Sequence, residues 1–363
     1  MTMARVATVA LGVMLAPSCI VFPGDQPVSS QDSGPGDAGA VATEASPADV
    51  VTEPAPRIDG MGLATGEQPP RVAVDTSGIY WTTFDGMVMK LSKGGGAPTT
   101  LASGQHLPYD IAVDANAAYW TNFSDGTVVK VPLSGGTPIT LVTGQRSPMG
   151  IAVDATYVYW SSEGDATVGY VNGSITKVPI GGGAIAVLAT TQRRPTSLVV
   201  DGTNVYWTNM GTPGKGYVDG MIVAVPIGGG NTMALASGQT SPMGIAIDSA
   251  NIYWTNEGSS VNGYADGKVM RVPIGGGTPT VLASGQNNPQ CVAVDSTAVY
   301  WTNEGTGTGA AGDGTVMKLL MNGILPTTLA NGQDKPLGIA VDVSRVYWTQ
   351  YASPGAVMAT SKN

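Results

Sequence analysis

Two groups of residues carry side chains that could do chemistry. The first is a set of carboxylates and phenols in the second half of the chain. Glu163, Glu257 and Glu304 occupy matched places in related segments, and so do Tyr170, Tyr217 and Tyr264. Carboxylate oxygens beside aromatic rings suit a calcium ion or a sugar. The competing account is that these Gly-rich segments repeat only because the chain grew by duplication. The second group is Arg71, Tyr109, Asp110, Ser197, Gln290 and Cys291. Opposite charges and hydrogen-bonding groups gathered at one place suit a small polar or zwitterionic ligand, or a peptide end. The competing account there is a water-wetted lining with Arg71 paired to Asp110. Catalysis finds less support. The single histidine is His106, and a Ser-His-Asp arrangement would need it beside Ser197, two repeats away. No zinc-ligand cluster, phosphate loop or nucleophile elbow is present.

What positions these residues is a repeat. All seven tryptophans (Trp81, Trp120, Trp160, Trp207, Trp254, Trp301 and Trp348) lie in near copies of one phrase, "GIAID … NIYWTN" in the fifth copy, and the last five stand 47 residues apart. A period in the forties built only of strands and turns signals a β-propeller. In the fifth copy, residues 244–248 and 251–256 read as two strands joined by a tight turn. Asp266-Gly267 opens a third strand, 267–273, and the triple glycine at 275–277 turns into a fourth, 280–285. The seventh copy stops after its third strand, while "GLATGEQPP" at 62–70 matches fourth-strand text. The expected fold is therefore all-β: a seven-bladed propeller of four-stranded antiparallel blades, the last blade closed by the N-terminal strand.

Within that frame Tyr-Trp-Thr-Asn reads as packing, because each blade is covered on both faces. The Asp ending each first strand (Asp75, Asp114, Asp154, Asp201, Asp248, Asp295, Asp342) reads as a turn former whose carboxylate bonds backbone N–H groups. Lys90, Lys130, Lys177, Arg271 and Lys318, near the ends of third strands, are expected on a solvated outer face. Copies three to six carry long links after the second strand, at 163–173, 210–220, 257–267 and 304–314, forming a wall on one face. The residue at the inner end of each first strand reads Arg71, Asp110, Gly150, Ser197, Gly244, Cys291 and Gly338 around the ring; glycine there would let strands converge.

The order "P-x-G-I-A-V-D … V-Y-W-T-N … G-x-V-x-K-V-P … G-G" resembles the YWTD propellers of low-density-lipoprotein-receptor type over nearly all of 62–363. It departs in having Asn, Thr or Gln where their Asp follows Thr, and seven blades where those receptors have six. The chain is also similar to TolB-like, NHL-repeat and virginiamycin-lyase-like propellers. The resemblance implies the fold and is silent on function, since propellers host binders, scaffolds and enzymes. Lyase-like and quinoprotein-like relatives would imply inner-strand catalytic groups, histidine among them, and no histidine stands there.

The N-terminus has one basic residue, Arg5, an apolar run from Val6 to Ala16, then small residues, which reads as a secretory signal over 1–18. Ala16-Pro17-Ser18-Cys19 resembles a bacterial lipobox, implying lipid on Cys19; plain secretion is the alternative. Residues 19–61 read as a disordered acidic tether rich in Pro, Gly and Ala, and 62–363 as the propeller. The net charge of −9 falls mostly in the tether, and no basic stripe exists for nucleic acid or anionic lipid. The expectation is an exported lipoprotein of the bacterial cell envelope, a non-catalytic binding or scaffolding propeller without cofactor, a divalent cation such as calcium being left open. Its partner would be a small polar ligand, glycan, peptide or protein on the loop-rich face. The alternatives are a lyase- or lactonase-type enzyme with a metal at the channel mouth, and a structural repeat protein that assembles with a protein partner.

Overall fold

The structure is a computed structural model that describes residues 60–66, 68–306, 312–351 and 354–362. The signal segment, Cys19 and the tether up to residue 59 lie outside them. The described residues form seven four-stranded antiparallel sheets. Blade 5 shows the unit: inner strand Pro242–Ile247, then Asn251–Asn256, Gly267–Pro273 and outer strand Thr280–Gln286. Blade 7 takes its outer strand from Met61–Thr65, which pairs antiparallel with Ala356–Ser361. Ring closure by the N-terminal strand is as the sequence predicts, with the strand starting one residue earlier.

Each letter of the repeated phrase has a structural use. All seven Trp side chains are fully buried. The core divides into junctions, where the Tyr of one blade packs in a cluster with the Trp of the next: Tyr80 with Trp120, Tyr206 with Trp254, and Tyr347 with Trp81 across the seam. Every one of these Tyr hydroxyls donates to the Asp at the end of its own first strand, as Tyr253 does to Asp248 at 2.7 Å. The other carboxylate oxygen of Asp248 accepts the N–H groups of Ala250 and Asn251, both at 2.7 Å, so the expected turn role holds. The Trp254 indole N–H and the Asn256 amide both donate, at 3.1 and 2.9 Å, to the side chain of Gln239, the last residue of blade 4's outer strand.

Threonine has the most exacting task. The inner strand bulges near its entrance, so that ladder pairing jumps from Pro289↔Asn303 to Val292↔Trp301. A bulge leaves backbone groups without ladder partners. The Thr302 hydroxyl, donor and acceptor at once, takes the Cys291 N–H at 3.2 Å and donates to the Leu337 carbonyl of the next blade at 2.6 Å. The inter-blade half of this latch recurs at all seven junctions, including Thr349 to Pro70 across the seam at 3.4 Å and Ser161 to Thr196 at 2.5 Å.

One expectation is corrected. The third-strand lysines are not a solvated face: Lys90, Lys130 and Lys177 reach into the next blade and donate to the carbonyls of Leu133, Ile180 and Ile227 at 2.9, 2.5 and 2.5 Å. Lys318 does the same to Lys362. The long aliphatic stem can lie along the junction while the ammonium reaches the neighbouring blade's carbonyl. The Lys177 ammonium also sits 4.0 Å from the centre of the Tyr157 ring.

Candidate functional site

Two repeated backbone contacts build the channel mouth on the loop-bearing face. The residue before each inner-strand proline takes left-handed backbone in six blades, from φ 48° at Ser147 to 57° at Asn288. Its carbonyl accepts the N–H of the residue just past the second strand. The pairs are Phe84 to Gln68, Phe123 to Leu107, Glu163 to Ser147, Met210 to Arg194, Glu257 to Ser241, Glu304 to Asn288 and Tyr351 to Lys335, at 2.9–3.3 Å. Identical backbone thus displays different side chains around the mouth.

The long loops of blades 3, 4 and 5 each hold a single 3₁₀ turn, Ala166–Val168, Pro213–Lys215 and Ser260–Asn262. Tyr170, Tyr217 and Tyr264 follow, each with φ near 60°. Their carbonyls accept the N–H groups of Arg194, Ser241 and Asn288 in the next blade at 3.0, 2.9 and 2.8 Å. The wall expected from sequence is therefore stitched to the ring.

One side of the mouth is ionic. The Arg194 guanidinium is fully buried, donates to Glu163 Oε1 at 2.6 Å and to the Tyr217 hydroxyl at 2.6 Å, and lies 4.8 Å from the Tyr170 ring centre. Burial pushes the Glu163 carboxyl up and Arg194 opposes it. Glu257, 2% exposed, has no arginine of this kind, and its Oε1 has no hydrogen-bond partner. Burial, then the Glu304 charge, push its pKa up to about 8, against Arg194 and hydrogen bonds from Gln290 and Ser241. Glu304 accepts from the Asn288 amide at 3.1 Å and lies 4.0 Å from Lys335; burial pushes its carboxyl up as well.

The other side is aromatic: Phe84 meets Tyr351 edge-on at 5.7 Å, and Tyr109 lies 5.9 Å from Phe123, with Met149 buried beside it. Between the two sides Arg71 reaches over blade 7. Its Nε is 3.6 Å from Asp110 and its Nη1 donates to the Cys291 thiol. Gly338 lets the inner strands of blades 7 and 1 converge here, since a Cβ there would meet the Arg71 Cα and the Pro70 carbonyl oxygen at 2.9 Å. Burial pushes the Asp110 carboxyl up and Arg71 pulls it down, while the N–H groups of Ile111 and Ile151 bind it at 2.9 and 3.1 Å.

The structure thus brings the sequence-predicted residues into two sets. Arg71, Asp110 and Cys291 form one, paired with each other. Glu163, Glu257, Glu304, Tyr217 and Tyr264 form the other, joined by Gln290, whose amide donates to Asn288 at 2.7 Å. Tyr109 belongs to the aromatic side, and Ser197 is tied through its backbone to Thr208 in its own blade. His106 is exposed on a link. Sequence reading missed Arg194, Asn288 and Lys335. The signal was the column of residues preceding the inner-strand prolines, where the copies diverge as much as at the mouth itself. Below the mouth the inner strands of blades 2 to 6 line a cavity of about 400 Å³ with apolar side chains such as Val113, Ile151, Val200 and Ile247. Among the described residues no group of three or more His, Cys, Asp and Glu side chains is placed to hold a metal ion.

No family model matches the chain, and no curated protein matches it. Solved structures do. A streptogramin B lyase superposes with a TM-score of 0.65 at 12% identity, over 84% of this chain and 97% of the lyase. The tricorn protease gives 0.60 at 11%, over 86% of this chain and 34% of the protease. A chain of a nidogen/laminin complex gives 0.49 at 20%, over 65% of this chain and 86% of that one. What the lyase and the protease share with this chain is a fold. It is a β-propeller.

Proposed function

We propose that the protein is a non-catalytic binding module whose ligand sits on the loop-bearing mouth. One observation carries this reading. The groups that repeat around the ring are consumed in holding blades together, whereas the side chains on the mouth's repeated backbone diverge into an ionic half and an aromatic half. A mouth with both halves suits a ligand having a polar, charged end and an apolar body. Arg71 and Asp110 act here as a mutually paired strut beneath the ligand. We further propose export and anchoring through lipid on Cys19 at the bacterial cell envelope. Radioactive fatty acid should label the wild type and not Cys19→Ser.

The binding test is a thermal-shift screen followed by mapping. Phe123→Ala and Glu304→Gln should weaken any ligand found, and exchanging exposed residues at the other end, Asn116 and Arg345, should not. Binding lost only through the latter pair refutes the reading. A second reading has one specific support: Glu257, with its pKa near 8, is largely protonated at neutral pH and is poised as a general acid. That would suit a lyase, the activity named for the streptogramin-cleaving structure. Turnover of a bound ligand that Glu257→Gln abolishes without weakening binding would establish it.

A further inference from the structure

The repeat supplies its own comparison for Glu257. Between blades 3 and 4, Glu163 and Tyr170 frame a socket filled by the Arg194 guanidinium. Between blades 5 and 6, Glu257 and Tyr264 repeat the frame. Tyr170 and Tyr264 share their left-handed backbone, φ 58° and 60°. The N–H of Glu257 is held by Ser241 at 3.0 Å as that of Glu163 is by Ser147 at 3.1 Å. The residue in the place of Arg194 is Asn288, on the same backbone, φ 57° against 56°. Its side chain is spent elsewhere, donating to Glu304 and accepting from Gln290. The Glu–Tyr frame is kept, the sequence has Ala311 where the filled copy has Tyr217, and the cation is gone.

Three consequences agree. Glu257 is buried, its Oε1 has no hydrogen-bond partner, and its affinity for a proton has risen. A buried carboxylate is stable when a cation hydrogen-bonds to it, and otherwise takes up a proton. We propose that Glu257 is the receptor for a ligand's guanidinium or primary ammonium group, seated against Tyr264 where Arg194 sits against Tyr170 in the filled copy. The inference rests on the mouth being the binding face, and narrows the ligand to an organic cation.

The test uses the full chain and calorimetry with agmatine, a diamine, and a short peptide carrying arginine; the neutral control replaces arginine by citrulline. The cationic probes should bind and the citrulline peptide should not, because its urea matches the shape without the charge. Glu257→Gln should weaken binding on the order of tenfold or more. Asn288→Arg supplies the guanidinium from within the chain. It should abolish cation binding and raise the melting temperature, and Arg194 shows that this backbone accepts arginine. A peptide tighter than agmatine assigns the cation to a polypeptide, and the reverse order assigns it to a small amine. Equal binding of arginine and citrulline peptides overturns the proposal, as does no binding of any cation, or Asn288→Arg that melts lower and leaves binding unchanged. If screened ligands map to the mouth yet ignore Glu257→Gln, the socket is refuted and the binding face stands. If no ligand maps to the mouth, both fall.

Discussion

Replacing Thr302 by Val removes one hydroxyl and almost no volume, so it isolates the latch between blades 6 and 7. The hydroxyl is buried and serves two backbone groups, the Cys291 N–H at 3.2 Å and the Leu337 carbonyl at 2.6 Å. The blade 6 bulge denies the first a partner in the sheet ladder, and the matching bulge of blade 7, between Pro336 and Ile339, denies the second. A buried polar group left unsatisfied costs about 1–3 kcal/mol. With some relaxation, Thr302→Val should therefore lose about 2–4 kcal/mol. Thr302→Ser keeps both bonds and loses a methyl, about 0.8 kcal/mol by burial, and Ser161 already does this work in blade 3. Urea unfolding followed by tryptophan fluorescence measures the difference, because all seven indoles are buried at junctions. If Val and Ser cost the same, the hydroxyl is not what latches the blades.

The ring seam gives a second prediction. Removing residues 1–57 should leave the melting temperature unchanged, whereas removing 1–66 strips the outer strand from blade 7, uncovers Trp348 and should cost at least ~3 kcal/mol; equal melting would refute closure by this strand. The third concerns pH. The folded-state pKa of Glu257 lies above its ordinary 4.5, so the folded protein holds this proton more tightly and the stabilisation is complete below about 4.5. It should be lost as pH rises to about 8, and Glu257→Gln should flatten that slope relative to wild type, with Glu304, Arg194, Tyr217 and Tyr264 as the charged or titratable neighbours held constant. Parallel profiles for the two proteins would remove Glu257 as the source.

The architecture was legible because periodicity survives without alignment: seven tryptophans at near-constant spacing require seven equal sectors, and fourth-strand text at the N-terminus tells how the ring closes. Glu163, Glu257, Glu304 and the loop tyrosines were legible as departures from the repeat. Arg194 was not, because it stands in a short link that reads as mere connection, and only the left-handed turn before proline swings it into the mouth. The third-strand lysines were misread for a related reason. A charged residue with strand period looks solvated until the neighbouring blade's carbonyl is seen beside its ammonium. The Arg71–Asp110 pair stood in the sequence as one of two accounts, and the 3.6 Å approach favours it.

The shared seventh blade makes the starting point of the polypeptide a matter of convention. Met61 faces Ala359 and Thr65 faces Ala356, so a short linker could join the two ends inside one sheet. The chain could then be reopened at any triple-glycine turn between a third and a fourth strand, giving a circular permutant that closes a different blade by the same strand exchange. Because the Thr latch and the Gln clasp on Trp cross six or more of the seven junctions, such permutants would rotate the seam around the axis without altering the mouth. A fused reporter, or an anchor, could thereby be moved sector by sector around a fixed binding face.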